Sequence, residues 1–122
     1  MSFSCWNEVI SSVIDEHGRI DGLVNNAGIY TSQDIFSESD DVFQRIIEVN
    51  QLGTYLGMAA VAPIMASQKS GSIVNISSVA GMRAQANIAY MASKWAVRGM
   101  TKGVAKTLAN SGVRCNSVHP GA

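Results

Sequence analysis

A chain of 122 residues, 47% hydrophobic and 15% charged, has the composition of a single soluble globular domain with an apolar interior. Nine basic and nine acidic residues cancel and are scattered, so no basic stripe exists for nucleic acid or anionic lipid. There is no targeting-type N-terminus and no apolar run long enough to span a bilayer, and the two cysteines, Cys5 and Cys115, lie far apart in no metal-type spacing. Both cysteines read as reduced core residues, and the expected location is cytoplasmic.

From Trp6 the apolar residues Val9, Ile10, Val13 and Ile14 recur at three-and-four spacing, which predicts a helix over about Ser4 to His17, with Gly18 as its cap. Ile20 to Asn25 is an apolar run of strand length. Ser37 and Ser39 are candidate caps for a long helical stretch whose apolar face begins with Val42, Phe43, Ile46 and Ile47 and runs to about Ser67. Gly53, Gly57 and Pro63 are poor helix formers, so a kink is expected near Asn50 or Pro63. Ser72 to Ser77 is β-branched, short and bounded by turn residues: a second buried strand. Asn87 to Asn110 lacks proline, is rich in Ala, Met, Lys and Leu, and is the longest helix. Val113 to Val118 is a third strand, stopped by Pro120-Gly121. Helices alternating with strands mean crossovers and a parallel sheet, so the fold class is α/β.

Ligands of open parallel sheets bind beyond the carboxyl ends of the strands. Each of the three ends carries a polar, glycine-containing group: Asn25-Asn26-Ala27-Gly28, Ser77-Ser78-Val79-Ala80-Gly81 and His119-Pro120-Gly121. Turns favour these residue types without any function. Their occurrence at all three ends is the stronger signal. Tyr90 and Lys94, four apart at the start of the longest helix, share a face about one turn apart. A free tyrosine titrates near ~10, and a cation at about 4 Å favours phenolate by up to ~4 kcal/mol at an effective dielectric of about 20. Such a pair also arises by chance in chains with several tyrosines and lysines.

The order Asn25-Asn26-Ala27-Gly28, Asn50, Ser77-Ser78-x-x-Gly81, Tyr90-x-x-x-Lys94, Pro120-Gly121 resembles the short-chain dehydrogenase/reductase family in its standard form. The resemblance covers essentially the whole chain and implies a partial Rossmann-type doubly wound parallel sheet, residues 1–122 forming one partial dinucleotide-binding and catalytic domain. It implies hydride transfer between NAD or NADP and a secondary alcohol or ketone, with Tyr90 as general acid/base. Lys94 would act on Tyr90 and hydrogen-bond the nicotinamide ribose. Ser78 would hydrogen-bond the reacting oxygen, and Asn50 would hold, through its main chain at the kink, a water joining Lys94 to solvent. Asn26, Ala27 and Gly28 would approach the cofactor, Asn25 would brace adjoining strands, and Pro120 and Gly121 would line the nicotinamide pocket. No metal is needed for this chemistry. The wording around Ser78 and Tyr90 is similar to members acting on hydroxysteroids and other cyclic secondary alcohols.

Two departures matter. The family's Thr-Gly-x-x-x-Gly-x-Gly turn, whose helix N-terminus receives the pyrophosphate, is absent, as is a substrate region after Gly121. The chain therefore reads as a fragment that is inactive alone, and the choice between NAD and NADP is not legible. Ser78 precedes Tyr90 by 12 residues, whereas Ser77 stands at the family's usual separation. Ser78 is favoured as the second serine of Ser-Ser-x-x-Gly. Competing readings are a catalytically silent binding or assembly module of the same fold, and a sugar-nucleotide epimerase or dehydratase, which Asn-Asn-Ala-Gly disfavours. The family's dimers and tetramers predict that a complete protein packs the helices at about Asn50 to Ser67 and Asn87 to Asn110 against a second copy. His17, Trp6, Trp95 and the methionines read as capping, core or subunit-contact residues, and His119 as a strand-end residue.

Overall fold

The computed structural model describes residues 3–121. Helix α1 spans Phe3–His17 and ends where Gly18, at φ 78°, donates its N–H to the Ile14 carbonyl at 2.8 Å. Strand β1 is Gly22–Asn25. It starts later than the apolar pattern suggests because the Gln68 side chain takes the Ile20 backbone: Oε1 accepts from the Ile20 N–H at 3.0 Å and Nε2 donates to the Ile20 carbonyl at 2.7 Å. The amide thus substitutes for a neighbouring strand at that residue, and the ladder opens one residue on, with Ser72 N–H donating to the Asp21 carbonyl.

Helix α2, Asp40–Ile46, is capped by Ser39, whose Oγ accepts from the Val42 N–H at 3.3 Å. Ser37 instead closes a turn with Asp34. The chain continues through a π-helical turn, Ile47–Leu52, into α3, Gly53–Gln68. The expected irregularity therefore falls at Asn50, while α3 runs on through Pro63. Strand β2 is Gly71–Ile76, α4 is Ile88–Leu108 and β3 is Val113–Val118; a short 3₁₀ turn, Val79–Gly81, follows β2 and another, Ala109–Ser111, closes α4.

The sheet is parallel in the order β1-β2-β3, with Asn25 opposite Asn75 and Ile73 opposite Cys115. One apolar cluster joins Ile10 of α1, Met58, Val61 and Met65 of α3, and Leu108 of α4 to Ile73, Val113 and Cys115. Strand side chains alternate faces, so this cluster uses one face of the sheet; Val24, on the other face, is 62% exposed. Of the two cysteines, Cys115 is in the core, where burial pushes its thiol up to about 11, and Cys5 is exposed in the first turns of α1. The expectation of two core cysteines is corrected for Cys5.

Within the apolar layer sits Asn75, fully buried. Its Nδ2 donates to Thr101 Oγ1 at 2.9 Å and its Oδ1 accepts from Asn25 Nδ2 at 3.0 Å. A buried amide left unpaired would cost about 1–3 kcal/mol, so these bonds tie β1 and β2 to α4 and penalise any slip in strand register. Asn25 Nδ2 also lies 3.4 Å from the Thr54 carbonyl of α3. Gly57 makes that approach possible: a Cβ there would lie 2.5 Å from Asn25 Oδ1 and 2.9 Å from the Trp6 ring.

Candidate active site

The carboxyl ends of the strands open onto a cavity of about 590 Å³. Of the residues singled out in the sequence, Asn26, Gly28, Ser77, Ser78, Tyr90, Lys94, Pro120 and Gly121 line it together. They come from three strand ends and the first two turns of α4, so the parallel topology, not sequence proximity, assembles them. Ala27 faces a smaller cavity of about 90 Å³ beside Trp6. Asn50 is fully buried behind the site.

Lys94 is buried, and its Nζ donates to the Ile76 carbonyl at 3.0 Å while lying 5.6 Å from the centre of the Tyr90 ring. Burial holds its pKa below the ordinary value. A Cβ at residue 28 would lie 3.4 Å from both Lys94 Nζ and Asn50 Oδ1, so Gly28 lets the backbone close over the ammonium. The Asn50 side chain clamps the adjoining loop: Oδ1 accepts from the Ile29 N–H and Nδ2 donates to the Ile29 carbonyl, each at 2.8 Å. Nδ2 also lies 3.2 Å from Ser93 Oγ, which joins the π-helical turn to α4. The Asn50 carbonyl accepts the Thr54 hydroxyl at 3.0 Å. π-Helical turns interrupt the regular ladder and gather at functional sites, and this one sets the asparagine between the β1 loop and α4.

The two serines differ in surroundings. Ser77 is buried and donates to the Lys94 carbonyl at 3.1 Å. Ser78 is half-buried in extended backbone, and its Oγ accepts from the Ala80 N–H at 3.2 Å. Among the described residues no protein acceptor takes the Ser78 hydroxyl hydrogen, which leaves it for an acceptor in the cavity. Gly81 carries the turn onto α4, since a Cβ there would lie 2.6 Å from Ser77 Oγ and 2.8 Å from the Lys94 carbonyl oxygen.

A hydroxyl, a phenol and a buried ammonium now face one cavity, with backbone-only residues at its rim. The sequence model described as short chain dehydrogenase matches residues 2–122. The chain belongs to the short-chain dehydrogenase family. It is 41% identical over 121 residues to trans-4-hydroxycyclohexanecarboxylate dehydrogenase of Sinomonas cyclohexanicum, covering 98% of this chain and 46% of that protein. It is 42% identical over 117 residues to a 3-alpha-(or 20-beta)-hydroxysteroid dehydrogenase of Mycobacterium tuberculosis, covering 95% and 45%. Among solved structures, ElxO with NADP bound superposes with a TM-score of 0.94 at 38% identity, over 98% of this chain and 49% of that one. The chain thus spans about half the length of the curated relatives it matches.

For this short-chain dehydrogenase chain the sequence pattern passed over four cavity residues: Ile29, Tyr30, Ile76 and Gln85. Tyr30 meets the Tyr90 ring edge-on, with centroids 5.0 Å apart at 74°, and is 66% exposed. The available signal was an apolar-aromatic pair, Ile29-Tyr30, directly after Asn-Asn-Ala-Gly, but the same loop carries a second such pair, Ile35-Phe36, outside the cavity. Asn75 was passed over as well, being one polar residue inside an apolar strand run.

Proposed function

We propose that this chain supplies the proton-transfer half of an NAD- or NADP-dependent oxidoreductase acting on a secondary alcohol or its ketone, a cyclic one in particular. The observation that carries the proposal is the single cavity shared by Ser78, Tyr90 and Lys94. The names of the relatives, which include a cyclohexanol-type and a hydroxysteroid dehydrogenase, support the cyclic substrate.

The residues fit a nicotinamide cofactor: the rim at Gly28 has no side chain and Gly121 has none, and Lys94 offers a cation beneath them. Asn26, Gly28, Lys94, Pro120 and Gly121, which share the cavity, would hold it, and when bound it would supply or accept the hydride. The rest is the work of this chain's side chains. Tyr90 gives its phenolic proton to the substrate oxygen in ketone reduction and takes it back in alcohol oxidation. The Ser78 hydroxyl donates to the same oxygen and fixes its position against Tyr90. The Lys94 ammonium, over the Tyr90 ring, stabilises the negative charge that develops as the proton leaves. Asn50 keeps the Ile29 loop and α4 in register, so the cavity wall and Tyr90 move as one body.

The test joins residues 1–122 to a glycine-rich phosphate-binding segment and a substrate region, both taken from a relative, and measures reduction of cyclic ketones with NADH and NADPH. Turnover that Tyr90→Phe abolishes, with cofactor affinity retained, is the expected result. Turnover above about a tenth of the parent in Tyr90→Phe would remove Tyr90 from the role. Exposed Leu52, Tyr55 and Trp95, around the π turn, α3 and α4, support a second copy as the partner of these helices, which sedimentation of the joined protein would detect.

A further inference from the structure

His119 lies half-buried at the end of β3 and uses both ring nitrogens. Nδ1 is 3.0 Å from the Ser78 carbonyl oxygen and Nε2 is 2.9 Å from the Ser117 hydroxyl. A carbonyl only accepts, so Nδ1 carries the hydrogen, and Nε2 pairs with the Ser117 hydroxyl, which can serve either role. The ring does not line the cavity that holds Tyr90. It faces a separate one, with Arg98 and Thr101, on the α4 side.

The backbone around this bond explains its purpose. Beyond the regular ladder, Ser77 N–H donates to the Val118 carbonyl at 2.7 Å and Val79 N–H donates to the Pro120 carbonyl at 3.1 Å. Those bonds hold the residues flanking Ser78. The Ser78 carbonyl accepts two hydrogen bonds, one from the Gly81 N–H at 2.9 Å within the turn and one from the His119 ring at 3.0 Å across from β3. Ser78 is therefore fixed at two atoms, its carbonyl by Gly81 and His119 and its Oγ by the Ala80 N–H at 3.2 Å. Both anchors leave the hydroxyl hydrogen uncommitted.

We propose that His119 is a positioning residue for Ser78, holding its carbonyl through an Nδ1–H hydrogen bond so that the hydroxyl meets the reacting oxygen. The proposal rests on the role given to Ser78 above. Misplacement of a positioned group costs rate rather than cofactor affinity, because the His119 ring, although it precedes Pro120 in the chain, faces the α4-side cavity and not the one that would hold the cofactor.

The experiment compares His119→Ala, His119→Asn and His119→Gln in the joined protein. An asparagine amide nitrogen falls near the place of Nδ1 and a glutamine amide nitrogen near that of Nε2. His119→Ala should lower kcat about tenfold while the cofactor Kd moves by less than about twofold, and His119→Asn, not His119→Gln, should restore most of the loss. Ring ¹⁵N shifts of the parent should show a protonated Nδ1. Full kcat in His119→Ala, rescue by glutamine rather than asparagine, no rescue by either, or an unprotonated Nδ1 would each overturn the proposal. Should the alanine variant not fold, the parent's tautomer decides. If the parent itself has no turnover, the oxidoreductase reading fails on its own, while the tautomer and the Ser78 carbonyl ¹³C shift in His119→Ala still judge the positioning.

Discussion

Ser77 donates its hydroxyl hydrogen to the Lys94 carbonyl at 3.1 Å, so one serine of the pair is bound to the helix that carries Tyr90 and the other is not. Ser77→Ala should therefore act mainly on stability, by about 1 kcal/mol for a lost buried hydrogen bond. Ser78→Ala should act on rate, on the order of 10²-fold, because it removes a donor to the reacting oxygen. Denaturant midpoints beside kcat for both variants separate the two. If Ser77→Ala is the more damaging to kcat with an unchanged midpoint, the assignment of roles is reversed.

Gly81→Ala tests how tightly the Ser77-Ser78 turn rests on α4. The added methyl would meet Ser77 Oγ at 2.6 Å and the Lys94 carbonyl oxygen at 2.8 Å, and the latter is helix backbone that yields little. The variant should lose about 1–3 kcal/mol, the usual cost of overpacking. Urea unfolding with an unchanged m-value reads the loss directly. A midpoint equal to that of the parent would mean that the turn can lift from α4 freely.

Lys94 gives a pH dependence with a definite sign. Its native pKa lies below the ordinary value of 10.5 because burial penalises the charged form. Between the native and unfolded values the unfolded chain binds more protons, so unfolding takes up protons and acid favours it. The destabilisation from Lys94 is complete below its native pKa and is relieved as pH rises towards about 10.5. The buried Cys115 thiol works in the opposite direction, losing stability as pH rises from 9.0 to about 11. The difference in unfolding free energy between Lys94→Met and the parent cancels that contribution. It should favour methionine most at neutral pH and shrink as pH climbs towards 10.5. A difference that is flat across that window would show that Lys94 is not desolvated.

The sequence made the strand ends legible because glycine and small polar residues after short β-branched runs have few other places to go, and the parallel order then had to bring those ends together. It could not show that Ala27 lines the small cavity beside Trp6 and not the one with Tyr90, since residues of an irregular loop follow no fixed side-chain period. Nor could it show Gln68 standing in for a strand beside Ile20, a bond across 48 residues that no periodicity encodes. Asn50 was legible as a kink, but its side-chain clamp on Ile29 depends on the π-helical turn, which inserts an extra residue per turn without a compositional mark. His119 was read as a strand-end residue, and only the approach of Ser78 from β2 gives its Nδ1 a partner.

The last prediction concerns residues 1–122 expressed alone. Among the described residues β1 pairs only with β2, so its outer edge offers unpaired backbone groups to other chains, and Val24 lies 62% exposed on the sheet face away from the helices. Parallel sheets tolerate open faces poorly. The cavity supplies rim glycines and Lys94, but the described residues contain no glycine-rich turn leading into a helix N-terminus, the main anion-binding device of dinucleotide folds. The isolated chain should self-associate and should bind NADH and NADPH only weakly, with no turnover of cyclic ketones. Sedimentation velocity across a range of concentrations, with fluorescence and calorimetric titrations of both cofactors, measures each part. A concentration-independent monomer that binds either cofactor saturably in the micromolar range and turns over ketone would show that these residues suffice, and the joined protein would then be unnecessary for every test above.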